Sequence, residues 1–256
     1  MPGNNPRDQG GIEGLKAVWL GVFALLIGLA NPAYAQSAEQ LEQLEPDKGE
    51  WLVEYFGLFG SGADERDHSV QLMTGVTNRL AIGAELESSW ADSALAIENF
   101  APMLLYRFSG SDAEPLGVGL EVQASLDRHV RLIGAEARLI VEKRSGKWWG
   151  QVNLILRNTR QHEASATRIA YGWALNRAIT NRLWVGLEGS GQAARLLGVA
   201  DLAPAGEHFL GPALTYQLAL GGGGGGGEVD IGIAYLARAI GTGPTGTARL
   251  SIQLGF

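Results

Sequence analysis

The last ten residues of the chain, Thr247-A-R-L-S-I-Q-L-G-Phe256, alternate between two kinds of side chain. The apolar set consists of Leu250, Ile252, Leu254 and Phe256, and the polar set of Arg249, Ser251, Gln253 and Gly255. Successive side chains of a strand point to opposite faces, so this pattern predicts a strand with one apolar and one polar face. Terminal residues are usually frayed and polar. An aromatic residue at the end of such a strand therefore indicates that the sheet needs it.

The same period-two alternation recurs along the chain and predicts twelve strands. We place them near residues 49–59, 67–76, 79–90, 97–108, 115–126, 131–143, 147–157, 165–176, 181–191, 208–219, 228–238 and 247–256. Each has roughly the 9–11 residues with which a tilted strand crosses a bilayer. No apolar run after the N-terminal region reaches the roughly 20 residues that a membrane helix needs.

The breaks between the predicted strands alternate in length. Short turns are expected at Thr77-Asn78, "SGSDAE" (109–114), Arg144-Ser145-Gly146 and Thr180-Asn181. Generally longer loops are expected at "GSGADER" (60–66), "SSWADSAL" (88–95), "RNTRQHEA" (157–164) and the segment 191–207. Short turns at one end and longer loops at the other are typical of an outer-membrane β-barrel. An even strand number then places both termini at the short-turn, periplasmic end.

Aromatic residues on the apolar face gather at one predicted level. Seven of them are expected near the short-turn end: Trp51, Tyr106, Phe108, Trp148, Trp173, Tyr216 and Phe256. Amphipathic rings favour the boundary between hydrocarbon and headgroups, and membrane barrels carry such girdles. A soluble β-sandwich has no reason to sort its aromatics by height, so we interpret these residues as contacts with outer-membrane lipids.

The N-terminal region reads as a leader followed by a short segment. Lys16 precedes the apolar stretch Ala17–Ala30, and Ala33-Tyr34-Ala35 forms an A-x-A site. These features predict a signal peptide over residues 1–35, a periplasmic segment over 36–48 and a barrel over 49–256. Leu41 and Leu44 could share a helical face that ends at Pro46. We expect the segment to be a mobile tail, with the alternative that it folds back and plugs the lumen.

The chain's ending resembles the C-terminal signal of bacterial outer-membrane barrels, a final alternating strand that closes with Phe. The resemblance implies recognition by the outer-membrane assembly machinery. Together with the leader and the aromatics, it makes the chain similar to small porin- or transporter-like proteins of the outer membrane of Gram-negative bacteria. The expected fold is an all-β, twelve-stranded antiparallel transmembrane barrel.

Ionisable side chains on the polar face are expected to line the lumen, because an Arg or Lys facing lipid at mid-membrane costs about 2–4 kcal/mol. The predicted pore-lining residues are Glu54, Glu85, Glu87, Glu121, Glu136, Arg138, Glu142, Arg157, Arg168, Glu188, Asp230, Arg238 and Arg249. Two interpretations stay open: a wet pore that passes small solutes, or a filled lumen stiffened by Glu–Arg pairs. Acids outnumber arginines in this set, so a pore should weakly prefer cations.

Other function classes have weaker signals. The chain is acidic, with 20 Lys plus Arg against 27 Asp plus Glu, which disfavours nucleic acid as a partner. It has no cysteine, and no residue pattern predicts a cofactor. A barrel-embedded lipid hydrolase needs a His base beside a Ser nucleophile, yet none of His68, His129, His162 and His208 has a Ser two residues away. These histidines are expected at the outer rim, each near an acid, which leaves a metal-handling surface scaffold as a further alternative.

Overall fold

The computed structural model describes residues 40–60, 66–91, 94–109, 116–199, 206–220, 227–241 and 245–256. The predicted signal peptide lies outside these residues, and so does most of the glycine run Gly221–Gly227, for which the composition predicts a periplasmic turn. Among the described residues, no helix is long and apolar enough to cross a membrane.

Twelve antiparallel strands form a closed barrel in which each strand pairs with its neighbours in sequence and β1 pairs with β12. The strands are β1 (Trp51–Gly60), β2 (Arg66–Gly75), β3 (Leu80–Ala91), β4 (Ala94–Ser109), β5 (Leu116–Leu126), β6 (Leu132–Ser145), β7 (Trp148–Gln161), β8 (Ala164–Ala178), β9 (Leu183–Gly198), β10 (His208–Ala219), β11 (Glu228–Ile240) and β12 (Gly246–Gly255). The predicted fold class and strand number are confirmed.

The final residue takes part in closing the barrel. The Phe256 amide donates to the Trp51 carbonyl at 3.0 Å, and the Trp51 amide donates to the Phe256 carbonyl at 2.8 Å. The Phe256 ring remains 61% exposed on the outer surface. The last residue therefore joins the two ends of the sheet through its backbone and presents its ring to the surroundings.

The end of the barrel that carries Trp51 and Phe256 is called the turn end here, because its described connections are tight. Thr77 and Thr180 occupy equivalent positions in two of these turns. The Thr77 hydroxyl accepts from the amides of Arg79 and Leu80, and the Thr180 hydroxyl accepts from those of Arg182 and Leu183. These side-chain bonds replace backbone partners and fix the turns. Gly146, with φ +58°, allows the tight turn between β6 and β7.

The opposite end, called the loop end, departs from the prediction. The segment "RNTRQHEA" forms no long loop, because β7 continues to Gln161, β8 starts at Ala164, and only two residues connect them. β9 likewise runs on to Gly198, past its predicted end at residue 191. The end of β7 is polar on both faces and the end of β9 is mixed, with Leu196 and Leu197 adjacent, so the alternation that marks a half-apolar strand disappears while the backbone pairing continues.

Candidate functional site: the lumen

The thirteen predicted pore-lining residues all belong to the inward-facing positions of their strands. Side chains at these positions are buried or half-buried, whereas most of the apolar side chains that alternate with them on the outer face are exposed. Adjacent residues on one strand illustrate the contrast: Asn153 is fully buried, and Leu154 is 49% exposed. Ionisable groups therefore collect inside the barrel, as the alternation predicts.

One wall of the lumen carries a network of ion pairs. Glu136 lies between two arginines, 2.7 Å from Arg138 Nη2 and 2.5 Å from Arg157 Nε. Arg138 also approaches Glu121, with 4.0 Å between Nη1 and Oε1. Glu85 belongs to the same wall and accepts a hydrogen bond from Gln123 at 2.9 Å. This network is the stiffening arrangement expected for a filled lumen.

A second ion pair crosses the lumen between strands that are not neighbours. Arg249 Nη2 on β12 donates to Glu188 Oε1 on β9 at 2.7 Å, and Arg249 Nη1 lies 2.5 Å from Glu188 Oε2. Both side chains are more than nine-tenths buried. The charge-assisted hydrogen bond makes this a directional contact as well as an electrostatic one, and it joins two strands that lie three positions apart around the barrel.

Part of the inward face is apolar, which differs from the polar inner face that the alternation predicts. A buried cluster near the loop end joins β1, β10 and β11; it consists of Phe56, Leu58, Phe209, Ala213, Ala234 and Leu236. In "WLVEYFGLFG" apolar residues occupy both faces of β1 apart from Glu54, so the alternation does not distinguish the inward ones. The lumen is therefore divided between a charged wall and an apolar wall.

The segment that precedes β1 lies inside the barrel. Ser69 donates to Gln40 at 3.2 Å, and the Leu44 amide donates to Glu142 Oε1 at 2.8 Å. At the turn end, Arg107 Nη1 donates to Asp47 at 2.6 Å. The expectation of a mobile periplasmic tail is therefore wrong for residues 40–47, and the alternative of a segment that folds back into the lumen describes them.

Glu42 and Leu44 make the central contacts of this lumen segment, residues 40–47. The Glu42 carboxylate lies 3.1 Å from Arg138 Nη1 and accepts from Gln71 at 3.2 Å. Its backbone carbonyl accepts from Asn153 at 3.2 Å and also from Gln151. Leu44 packs in a second buried apolar cluster; its other members are Leu52, Met73, Ala81, Met103, Leu105 and Ile140. These barrel side chains provide a specific seat that the segment's own sequence does not reveal.

A cavity of about 1010 Å³ remains beside the lumen segment; it is lined by β1 and β7 to β12 and, near the turns, by residues of β4, β5 and β6. We call it the turn-end cavity, because residues close to the turns and to Phe256 surround its mouth. Its described lining includes the indoles Trp149 and Trp184, the arginines Arg107, Arg144 and Arg249, and the acids Glu45, Asp47, Glu50, Glu54, Glu142, Glu188, Glu228 and Asp230. The excess of acids makes the cavity strongly electronegative when these groups are ionised.

The predicted pore-lining residues divide between these regions. Glu54, Glu142, Glu188, Asp230 and Arg249 line the turn-end cavity. Glu121, Glu136, Arg138 and Arg157 form the charged wall. Glu87 accepts from Asn99 at 2.6 Å, and Arg168 and Arg238 lie nearer the loop end, opposite Arg157 and Phe209 respectively. Sequence periodicity identified the face but not this grouping, which depends on contacts across the barrel.

The seven predicted interface aromatics all lie on the outer surface, in the half of each strand nearer the turn end. Trp51, Tyr106, Phe108, Trp148 and Phe256 are at least 40% exposed, and Trp173 and Tyr216 are half-buried. Tyr106 and Phe108 pack edge to face at 5.3 Å, and the Arg177 guanidinium lies 5.5 Å from the Trp148 ring centroid. This placement agrees with a girdle, and contact with lipid remains the prediction.

The histidines lie at the loop end. His68 and His208 face outward, and the Nδ1 atom of each lies 2.7 Å from a tyrosine hydroxyl, that of Tyr55 and Tyr171 respectively. The Ser88 hydroxyl bonds the His68 carbonyl rather than its ring. In the described part of the chain, no group of three or more His, Asp or Glu side chains is arranged to hold a metal ion. These contacts of the histidines support neither the metal-handling nor the hydrolase alternative.

Comparisons with known proteins bear on the fold. No family model matches this chain, and no curated protein matches it. Among solved structures, the chain is similar to the NanC porin at 10% identity, with a TM-score of 0.53, over 80% of this chain and 98% of that one. It also aligns with the KdgM porin (9% identity, TM-score 0.46, 80% and 98% covered) and with OmpT, an outer membrane protein of Vibrio cholerae (9%, 0.37, 81% and 95%). The first likeness shows the fold: this chain shares the closed antiparallel β-barrel architecture of that porin.

Proposed function

We propose that this chain is an outer-membrane channel of a Gram-negative bacterium that allows passive or facilitated passage of small solutes. The observation that carries the proposal is the turn-end cavity, an open, ionisable space inside a closed barrel whose outer surface is apolar. An exposed apolar belt of this extent fits a lipid environment rather than water. The aromatic residues near the turn end would anchor the barrel in outer-membrane lipids.

In this proposal the lumen segment sets the width of the passage. It occupies the space beside the charged wall, so solutes would move along the opposite side, past Glu54 and the Glu188–Arg249 pair. The resting channel would therefore conduct weakly. The acidic excess of the cavity would favour cations, and added salt would screen that preference.

Single-channel recording in planar bilayers tests the proposal. The mature protein should give small steps of conductance, and a variant that lacks residues 36–48 should give larger ones, because the seat of the lumen segment is then vacant. A suitable control is Glu163→Gln, which keeps the segment and alters an exposed residue of the β7–β8 connection that does not line the cavity, so its conductance should match that of the mature protein. Absence of conductance from both the mature and the shortened protein, each shown to be folded, would contradict a channel.

A non-conducting scaffold is the second candidate, and the lumen segment together with the ion-pair network favours it. The same experiment separates the two candidates, because a scaffold stays closed after the segment is removed. Lipid hydrolysis has no support from the contacts of His68 and His208, whose rings bond tyrosine rather than serine hydroxyls.

A further inference from the structure

The turn-end cavity contains acidic groups whose bonding capacity is unused. Glu54 is only 9% exposed and lines the cavity, yet it forms no hydrogen bond or ion pair with any described residue. Asp230 accepts from Gln217 at 3.1 Å through Oδ2, and its buried Oδ1 has no partner among the described residues. Buried polar groups are normally satisfied. Two carboxylates that line one cavity and keep unused acceptor capacity therefore point to a donor that enters from outside the chain.

The carboxylates are distributed along the cavity rather than gathered at one point. Glu50 and Glu54 are four residues apart on β1 and its approach, which corresponds to roughly 13 Å in an extended chain. Glu54 on β1 and Asp230 on β11 both pair with Gln253 of the intervening β12, so these two acids lie at one level, about 10 Å apart by strand spacing. Within the described chain no three acids or histidines come close enough to hold a metal ion. A single compact cation cannot satisfy groups at this spacing, whereas an extended ligand with several positive charges can.

The remaining lining residues define the rest of such a ligand. Leu52 and Phe56 supply apolar surface, and Trp149 and Trp184 supply two indole rings. Methylene groups gain from burial against apolar surface, and an ammonium group is attracted to an indole face. Trp184 Nε1 donates to Gln217 at 2.9 Å, so the bond that Gln217 makes to Asp230 also fixes the indole.

We propose that the turn-end cavity binds linear polyamines, that is, aliphatic chains that carry two or more protonated amines. This inference rests on the proposed function, since it names the class of solute that the channel would take up. The amines would bind the carboxylates of Glu54 and Asp230, and the methylene chain would lie against Leu52, Phe56 and Trp184.

Calorimetric titration of spermidine into the full mature protein in neutral detergent micelles tests the site without requiring conductance. We expect saturable binding that weakens as salt is raised. Glu54→Gln and Asp230→Asn should each weaken it about tenfold or more, because each removes a charge-assisted hydrogen bond. Glu87→Gln is the matched control: it neutralises a lumen acid that accepts from Asn99 and does not line the cavity, so affinity should change less than about twofold.

The outcomes separate this inference from the proposed function. Binding that is lost in both cavity variants and kept in the control supports the site, whether or not the protein conducts. Conductance without spermidine binding would leave a channel and overturn the polyamine site. Equal weakening by all three variants, or displacement of spermidine by Mg²⁺ at matched charge, would mean that only the general negative potential attracts the ligand and would also overturn it.

Discussion

Leu214 and Thr215, adjacent residues at the middle of β10, provide a matched test of the inside and outside of the barrel. Leu214 pairs with Val185 and Ile233 on the outer face, and Thr215 pairs with Trp184 and Gly232 and lines the turn-end cavity. The two positions have the same depth along the strand. An arginine placed at each therefore differs only in its surroundings.

Leu214→Arg should lower the free energy of unfolding by about 2–4 kcal/mol, the cost of an arginine facing lipid near the bilayer midplane. Thr215→Arg places the same guanidinium in a cavity of about 1010 Å³ with more acids than arginines. Glycine at position 232 leaves room beside it, since a Cβ there would lie 3.7 Å from the Thr215 hydroxyl. Thr215→Arg should lower the free energy of unfolding by less than about 1 kcal/mol, because the guanidinium gains partners in the cavity instead of losing water.

Reversible folding into lipid vesicles, followed by tryptophan fluorescence across a denaturant titration, measures both variants against the parent protein. The slope of each transition should match that of the parent, so that the midpoint reports stability. Equal destabilisation by the two substitutions, or a greater loss for Thr215→Arg, would show that the inside–outside assignment of β10 is wrong.

Three further predictions concern the junction of β1 with β12, the Glu188–Arg249 ion pair and the lumen segment. Deletion of Phe256 should impair assembly more than Phe256→Asp, because deletion removes both backbone bonds to Trp51, and Phe256→Tyr should assemble almost normally. The amount of folded, heat-modifiable protein in outer-membrane fractions measures assembly, and a normal amount from the deletion variant would contradict the prediction. Arg249→Leu should destabilise by about 3–5 kcal/mol by leaving the Glu188 charge buried alone; additional Glu188→Leu should restore much of the loss, and failure to do so would exclude an electrostatic cause. Burial raises the pKa of Glu45 to about 7, with Glu142 and Asp230 adding to the effect and Arg144 opposing it. The Glu45 carboxyl therefore stays protonated in the docked segment at pH values where it is ionised in the released segment, so docking should be strongest near pH 4.5 and should weaken as the pH rises to about 7. A spin label on the single cysteine of a Gln43→Cys variant should become more mobile over that range. Glu45→Gln should abolish the change.

The strands were predictable because a barrel in lipid imposes one rule on every residue. The outer face must be apolar, so Leu250, Ile252 and Leu254 identify β12 before any contact is known. The outward residues need not be apolar beyond the lipid, and for this reason the continuation of β7 to Gln161 shows no apolar–polar alternation in the sequence.

The interior was predictable only as a face. The inward position of Phe56 and Leu58 could not be predicted from their residue type, since a lumen accepts either polar or apolar residues. The seat of Glu42 is formed by residues from three strands, Gln71, Arg138 and Gln151, which are separated by up to 80 positions in the chain. Contacts of that kind depend on barrel closure and register, and periodicity along one strand carries no information about them.

The connection between the lumen segment and β1 has a consequence for competition. Only Lys48, Gly49 and Glu50 separate Asp47, which Arg107 holds, from the first residue of β1. A segment on so short a tether rebinds as an intramolecular event, at an effective concentration on the order of millimolar. A free peptide with the sequence of residues 36–48 would have to exceed that concentration to compete. A solute at a lower concentration can displace the segment only if it binds the same site correspondingly more tightly.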